Sequence, residues 1–166
     1  AKAESAIAED GRFTYTGNVA LDIVLSEINR LCQKDSIRTS YMTDGKLLEF
    51  MSDEDVYSLF GNLLNNAVEA VIKCPEENRT MGVRIENRFD NLLSIVVYNY
   101  YVEEDLKFNE NGLPETTKKQ RELHGFGLKS VRRICDKYDA TMDICPKDGV
   151  FNVNILLPIP KKNKKK

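Results

Sequence analysis

The chain has 166 residues, of which 42% are hydrophobic and 30% are charged, a composition typical of a globular protein and not of a disordered one. This length fits one domain with a sizeable core, and no apolar run approaches the roughly 20 residues that cross a bilayer. The formal net charge of −2 argues against a basic surface for nucleic acid.

Two amphipathic helices and a strand are predicted in the first half of the chain. Thr16-Gly17-Asn18 favours a helix start, and the apolar residues that follow keep helical spacing to about Lys34. A short strand is predicted at residues 37–43. A second helix is predicted to begin at a cap at residues 52–53 and to run to about Lys73.

A hairpin and a long irregular segment follow. Residues 81–89 and 92–99 alternate as two strands, and the second strand places Asn99 on the same face as its apolar residues. Residues 100–124 show neither a helical nor a strand period. Such a stretch inside a compact domain predicts a lid or a disordered segment.

The last part of the chain is predicted to hold one helix and two strands. The helix follows Gly127, and the strands cover residues 140–145 and 150–157. Taken together, the elements predict an α+β fold, a two-layer sandwich in which about three helices cover one face of a sheet of about five strands.

Four cysteines lie far apart without CxxC spacing: Cys32, Cys74, Cys135 and Cys145. Three of them fall on or beside apolar stripes, which favours reduced core thiols over a metal site or disulfides. The single histidine, His124, cannot complete a metal site with cysteines so dispersed. Residues 159–166 form a basic tail, which is typical of a solvated terminus; a membrane-surface or nucleic-acid anchor is the alternative.

A polar row on the second helix is the first candidate for chemistry. Asn62 and Asn66 are four residues apart, and Glu69 and Lys73 continue the same line. Asn has poor helix propensity, so two such residues in mid-helix need a reason. Either the row is an exposed polar face, or its side-chain oxygens bind a hard cation such as Mg²⁺ beside phosphate oxygens.

Two further candidates lie later in the chain. Gly125-x-Gly127-Leu128 opens a helix, where backbone N–H groups can approach a phosphate, although such a pair of glycines is also common in turns. Lys118 and Lys119 are either phosphate ligands or solvated loop residues. The core-facing Asn99 either accepts a hydrogen bond from an exocyclic amine such as that of adenine or makes a structural hydrogen bond.

The order of these motifs resembles the GHKL (Bergerat-fold) ATPases, which include histidine kinases and gyrase B. Residues 62–67 (NLLNNA) are similar to the N box of that family, and residues 124–128 (HGFGL) are similar to its G2 box. Over residues 14–158 the chain resembles the AgrC-like sensor kinases, through Thr16-Gly17-Asn18 and the segment 112–118.

Two departures from the family pattern qualify the resemblance. The adenine-binding DxGxG box is absent, and Asn99-Tyr100-Tyr101 stands in its place, as in the AgrC-like branch. An Asn amide is a weaker acceptor than a carboxylate, which implies weak nucleotide affinity. Asn62 stands where ATP-hydrolysing relatives carry a Glu base, which favours transfer to a protein acceptor over hydrolysis.

The resemblance implies an ATP-binding catalytic domain of a two-component sensor histidine kinase with ATP and Mg²⁺ as cofactors. Asn66 would hold the Mg²⁺, Asn62 would support the metal or the phosphates, and Asn99 would bind adenine. The phosphate loop and lid would be formed by Lys118, Lys119, His124, Gly125, Phe126, Gly127 and Leu128.

The resemblance also implies partners and a domain organisation. Residues 1–13 would end an upstream dimerisation helix, residues 14–158 would form the ATP-binding domain, and residues 159–166 the tail. The phosphoacceptor His would lie on dimerisation helices outside this chain, and a response regulator would receive the phosphoryl group. We expect a cytoplasmic domain of a membrane-anchored kinase, monomeric as a fragment and homodimeric at full length. A catalytically silent docking module and an anti-sigma-type protein-serine kinase are the alternatives.

Overall fold

A computed structural model describes residues 6–7, 15–115 and 127–161. Except for β1 (Ala6–Ile7), which was not predicted, the bounds of the helices and strands differ from the predicted ones by at most two residues. The helices are α1 Val19–Lys34, α2 Asp53–Val71 and α3 Gly127–Lys137. The strands are β1 Ala6–Ile7, β2 Arg38–Thr43, β3 Thr80–Phe89, β4 Leu92–Tyr100, β5 Thr141–Lys147 and β6 Val150–Pro158.

The strands form one mixed sheet in the order β1-β2-β3-β4-β6-β5. β2 and β3 are parallel because α2 connects them as a crossover, and the other neighbouring pairs are antiparallel. Pro146 interrupts the ladder at no cost to a central strand, because β5 lies at the edge of the sheet.

The two residues of β1 are extended, where the sequence suggested the end of a helix for residues 1–12. Ala6 is paired with Thr43 and Ile7 with Met42, antiparallel to β2. This pairing covers the last two residues of β2, on the side of the strand that faces away from β3. The remaining residues of the predicted segment, 1–5 and 8–13, lie outside the described part.

One face of the sheet forms the core with the three helices, which confirms the predicted two-layer α+β sandwich. Strand alternation puts the buried apolar residues of β3, β4 and β6 on this face, whereas Arg84 and Glu86 on the other face are exposed. The fully buried large side chains include Phe60, Leu59 and Leu64 of α2, Leu21 and Leu25 of α1, Met81, Leu93, Ile95, Ile155 and Leu157.

The segment that enters α1 is fixed by a small polar network. Asn18 caps the helix, and its Oδ1 accepts a hydrogen bond from the Leu21 N–H at 3.0 Å. The N–H and hydroxyl of Thr16 both donate to Oδ1 of the buried Asp22, at 2.9 and 2.7 Å. A Cβ at Gly45 would lie 2.4 Å from the Thr16 hydroxyl oxygen, so this close approach requires glycine.

A second polar cluster ties the start of α2 to the end of α3. The Ser52 hydroxyl caps α2 by accepting from the Asp55 N–H at 3.2 Å. Asp55 Oδ2 accepts hydrogen bonds from Lys137 Nζ at 2.6 Å and from the Tyr138 hydroxyl at 2.5 Å. The hydrogen bond from Lys137, followed by that from Tyr138, lowers the pKa of the Asp55 carboxyl. We call these four residues the Asp55 cluster.

The cysteines of the described residues are free thiols, as the spacing predicted. Cys32, Cys74 and Cys135 are buried, whereas Cys145 is exposed. Burial raises the pKa of the Cys32 and Cys135 thiols to about 11, so they stay protonated and behave as small apolar side chains. No helix of the described residues is long and apolar enough to cross a membrane.

Candidate functional site

A cavity of about 580 Å³ lies between the sheet and the helices. Its walls come from the middle of α2, the ends of β4 and β6, the first residues of α3 and the connection that follows β4. The polar lining residues are Asn66, Glu69, Lys73, Asn99, Tyr101, Asp105, Asn109, Glu115 and Lys129, and the apolar ones include Leu63, Ala67, Ala70, Val97, Leu113, Leu128 and Val153. A volume of this size accommodates a small-molecule ligand.

The predicted polar row of α2 lies at this cavity. Asn66, Glu69 and Lys73 line it, because residues three and four apart share one face of a helix. Asn62 is not part of the lining itself. Its Nδ2 donates to the Ser58 carbonyl one turn earlier, at 2.7 Å. That hydrogen bond uses the amide nitrogen of Asn62 and leaves its oxygen on the side of α3.

The start of α3 packs directly against the two asparagines. A Cβ at Gly127 would lie 3.3 Å from both terminal atoms of Asn66 and 3.5 Å from Oδ1 of Asn62. Gly127 is buried, and its missing side chain lets the first turn of α3 approach α2 this closely. The first N–H groups of a helix have no partner within the helix. The two asparagines of the predicted N box and Gly127, from the described end of the predicted glycine motif, are therefore neighbours in space, and Leu128 beside them lines the cavity.

Asn99 supplies a buried amide at the end of β4. Its side chain is 3% exposed and lines the cavity, which confirms that it lies on the core face. Nδ2 donates to the Tyr100 carbonyl at 3.0 Å. Among the described residues no donor contacts Oδ1, so the oxygen is available to accept a hydrogen bond from a ligand.

The connection after β4 is attached to the turn between β5 and β6. The Tyr101 N–H donates to the Gly149 carbonyl at 3.1 Å, and the Gly149 N–H donates to the Glu103 carboxylate at 3.2 Å. The rings of Tyr101 and Phe151 meet edge to face at 6.1 Å between centroids. Burial, followed by the negative charge of Glu103, raises the pKa of the Tyr101 hydroxyl. Tyr101 and Phe151 thereby form an aromatic wall of the cavity.

Residues 101–115 are more regular than the sequence suggested. A single 3₁₀ turn covers Glu103–Asp105, and Phe108 pairs with Pro114 as an isolated antiparallel bridge. The lining residues of this stretch were missed because the sequence shows no strand period there. The usable signal was local: Asn109 and the Asn111-Gly112 pair are residue types that form turns through side-chain hydrogen bonds and positive φ.

Five of the predicted site residues lie outside the described part of the chain. These are Lys118, Lys119, His124, Gly125 and Phe126. The described residues that the predictions named, Asn62, Asn66, Asn99, Gly127 and Leu128, all lie at the cavity or against a residue that lines it.

Residues 51–158 match the GHKL domain family, and this match covers more than half of the chain. The chain belongs to the GHKL family. The matched segment includes α2, β4 and α3, which carry the described site residues of this GHKL domain. None of the curated proteins compared with the sequence matches it.

Solved structures of histidine kinases share the fold of this GHKL domain. The nucleotide-free catalytic domain of ThkA is 18% identical, with a TM-score of 0.59 over 89% of this chain and 95% of that one. The mycobacterial sensor histidine kinase MprB is 14% identical, with a TM-score of 0.56 over 84% and 93%. Full-length ShkA, solved in complex with AMPPNP, is 12% identical, with a TM-score of 0.59 over 95% of this chain and 32% of that one. At these identities the similarity shows a common fold.

Proposed function

We propose that this GHKL domain is the ATP-binding catalytic domain of an AgrC-like sensor histidine kinase. The observation that carries the proposal is the packing of Gly127 against Asn62 and Asn66, beside a cavity that also contains the buried Asn99. On this proposal a cation and phosphate site and an acceptor for a purine amine would border one cavity. Support also comes from the family match and from the histidine kinase folds described above.

The two asparagines fit a magnesium ion. Nδ2 of Asn62 is held by the Ser58 carbonyl, and Oδ1 of Asn62 faces the start of α3, as does the Asn66 amide. Neutral amide oxygens together with phosphate oxygens and waters form the hard, oxygen-only shell that Mg²⁺ prefers. Asn66 would hold the ion and Asn62 would support the ion or the phosphates. The ion would supply positive charge to the transferred phosphoryl group.

The charged residues that line the cavity do not by themselves neutralise a triphosphate, so a bound divalent cation would be needed to do so. Among the residues that the structure describes, the lining carries three carboxylates, Glu69, Asp105 and Glu115, and two lysines, Lys73 and Lys129. A triphosphate would therefore meet a wall without excess positive charge. The first N–H groups of α3, at Gly127 and Leu128, would add hydrogen-bond donors and the positive end of the helix dipole.

Adenine would be bound through Asn99. Its Oδ1 is fixed in position because Nδ2 donates to the Tyr100 carbonyl, and it would accept a hydrogen bond from the exocyclic amine. A neutral amide is a weaker acceptor than the carboxylate of the usual family motif, so we propose low nucleotide affinity. Lys118, Lys119, His124, Gly125 and Phe126, by their family resemblance, would complete the phosphate loop and its lid.

The phosphoryl group would pass to a histidine on a dimerisation helix of the same kinase and then to a response regulator. The side chains around the cavity would act by positioning and by charge neutralisation, as phosphoryl transfer in general requires. Asn62 cannot act as a general base, which favours transfer to a protein over hydrolysis. We further propose that the intact kinase is a membrane-anchored homodimer with this domain in the cytoplasm and that the isolated domain is monomeric.

Calorimetric titration with Mg²⁺–ATP tests this function. The wild-type chain should bind, and Asn66→Ala should bind at least about tenfold more weakly, because charge-assisted ligand contacts contribute roughly 1.5–3 kcal/mol each. The matched control is Asn65→Ala, since Asn65 is exposed and lies one residue away on another face of α2. Absence of wild-type binding at millimolar ATP would favour the docking module. Acid-stable phosphate on a protein acceptor would indicate a serine kinase.

A further inference from the structure

A small hairpin, residues 107–115, forms part of the cavity wall. The bridge between Phe108 and Pro114 defines it, together with a hydrogen bond from the Glu115 N–H to the Lys107 carbonyl at 2.6 Å. The Asn109 N–H donates to the Leu113 carbonyl at 2.8 Å. With a single bridge pair, a hairpin of this length is not stable alone. Additional contacts must hold its turn.

The Asn109 side chain supplies those contacts. Its Oδ1 accepts hydrogen bonds from two backbone amides, those of Asn111 at 2.9 Å and Leu113 at 3.1 Å. The Asn109 carbonyl accepts a third from the Gly112 N–H at 3.0 Å, and Gly112 has the positive φ of 69° that the turn needs. One side chain therefore determines the path of the whole turn.

The hairpin presents apolar side chains to the cavity. Leu113 is 5% exposed and lines the cavity with Pro114 and Asn109 itself. Arg132 of α3 donates to the Asn111 carbonyl at 3.4 Å, which attaches the tip of the turn to the helix that begins at Gly127. The position of Leu113 thus depends on a turn that Asn109 organises and on the helix that carries the phosphate side of the site.

We propose that Asn109 is a positioning residue of the nucleotide site. It would touch no reacting atom, and it acts by holding Leu113 and Pro114 in the wall that covers the bound nucleotide. The proposal rests on the proposed function, since the ligand is the nucleotide named there. When Oδ1 is removed, two amides lose their acceptor, the turn loses its fixed path, and the apolar wall loses its order.

The test compares Asn109→Ala and Glu110→Ala with the wild-type chain by calorimetry with Mg²⁺–ATP. Asn109→Ala should weaken binding by about tenfold, as expected for the loss of two hydrogen bonds. Asn109→Asp keeps an oxygen acceptor at the same position and should keep the turn ordered, but it adds a carboxylate to a cavity lining that already carries three among the described residues, so this variant is judged by hydrogen exchange and not by affinity. Glu110 is exposed on the same turn, so Glu110→Ala controls for a general effect of altering the loop. Unchanged melting temperatures show that the domain stays folded.

Hydrogen exchange separates this proposal from the proposed function. In the free protein, Asn109→Ala should speed exchange of the Asn111 and Leu113 amides and leave β4 unaffected. Wild-type affinity in Asn109→Ala, or exchange of the Asn111 and Leu113 amides in Asn109→Asp as fast as in Asn109→Ala, would overturn the positioning role. If the wild-type chain does not bind nucleotide, the proposed function fails and the nucleotide role of Asn109 fails with it. The exchange data still decide whether Asn109 orders the wall.

Discussion

Two polar groups on α2 differ in how far their hydrogen-bonding capacity is used. In the Asp55 cluster, at the start of the helix, the carboxylate oxygen Oδ2 accepts from Lys137 and Tyr138, and the Tyr138 hydroxyl accepts from the Ser52 N–H at 3.2 Å. In the middle of the helix, by contrast, the Asn66 side chain has no hydrogen-bond partner among the described residues and lines a cavity. About 16 Å of helix separates the two positions.

This difference separates stability from binding. A polar group whose partners lie within the fold contributes to the folded state, whereas one that faces a cavity without partners contributes when a ligand arrives. Both groups lie on the same helix. Substitutions in the Asp55 cluster should therefore change the free energy of unfolding and leave nucleotide affinity unchanged. Substitution of Asn66 should change nucleotide affinity and have little effect on the free energy of unfolding.

Asp55→Ala should give the largest effect on stability. The variant loses the hydrogen bond from the Tyr138 hydroxyl, and we expect the free energy of unfolding to fall by about 1–3 kcal/mol, measured by urea denaturation. Nucleotide affinity of the folded protein should stay at the wild-type value.

The double variant Asp55→Ala/Asn66→Ala shows whether the two groups are independent. The changes in unfolding free energy should add within about 0.5 kcal/mol, as for sites without shared partners. The affinity of the double variant should equal that of Asn66→Ala alone. A nucleotide affinity that drops with Asp55→Ala would show that the Asp55 cluster and the Asn66 side chain are coupled and do not act independently.

Periodicity predicted which residues of α2 and β4 share a face, and these residues line the cavity. The helical period placed Asn66, Glu69 and Lys73 together, and the strand period placed Asn99 on the core face. Their meeting at one cavity does not follow from periodicity. It depends on the packing of α2 over β4, which the order of the motifs suggested only through the family resemblance.

The Asp55 cluster and the Asn109 hairpin could not be predicted in the same way. Asp55 lies more than 80 residues from Lys137 and Tyr138, and no local pattern pairs a first-turn carboxylate with a distant helix end. The hairpin is organised by a side chain that bonds to the backbone, which leaves no alternation in the sequence. Tertiary contacts and turn chemistry therefore account for what periodicity missed.

Two glycine substitutions test the contact between the start of α3 and the Asn66 side chain, and we expect them to have smaller effects. Gly127→Ala places a Cβ at 3.3 Å from the Asn66 amide, which must shift by a few tenths of an ångström, so Mg²⁺–ATP affinity should fall roughly twofold to tenfold. Gly61→Ala is the matched control on α2, because its Cβ meets no atom within 4 Å. It should stabilise the protein by about 0.5–1 kcal/mol through helix propensity and leave affinity unchanged. Equal affinities of the two variants would argue against the role of Gly127.

Acid should weaken the Asp55 cluster. The pKa of Asp55 is lower in the folded state than in the unfolded chain, so its contribution to stability is fully present above the unfolded value of about 4. It is lost as the pH falls from there through the folded pKa, when Asp55 binds a proton. Asp55→Asn should lack this part of the pH dependence. Unfolding curves of both chains between about pH 5 and pH 2 measure the difference, and parallel curves would show that another carboxylate is responsible.

Lys137→Met should give the smallest effect, although the Lys137 ammonium lies only 2.6 Å from Asp55 Oδ2. The side chain is 60% exposed, so water and salt screen its attraction to Asp55, and the hydrogen bond from Tyr138 stays in place. We expect a small decrease in melting temperature at low ionic strength that disappears in about 1 M salt, where charges are screened within roughly 3 Å. Nucleotide affinity should not change. A salt-independent loss as large as that of Asp55→Ala would mean that the lysine, and not the tyrosine hydroxyl, holds the two helices together.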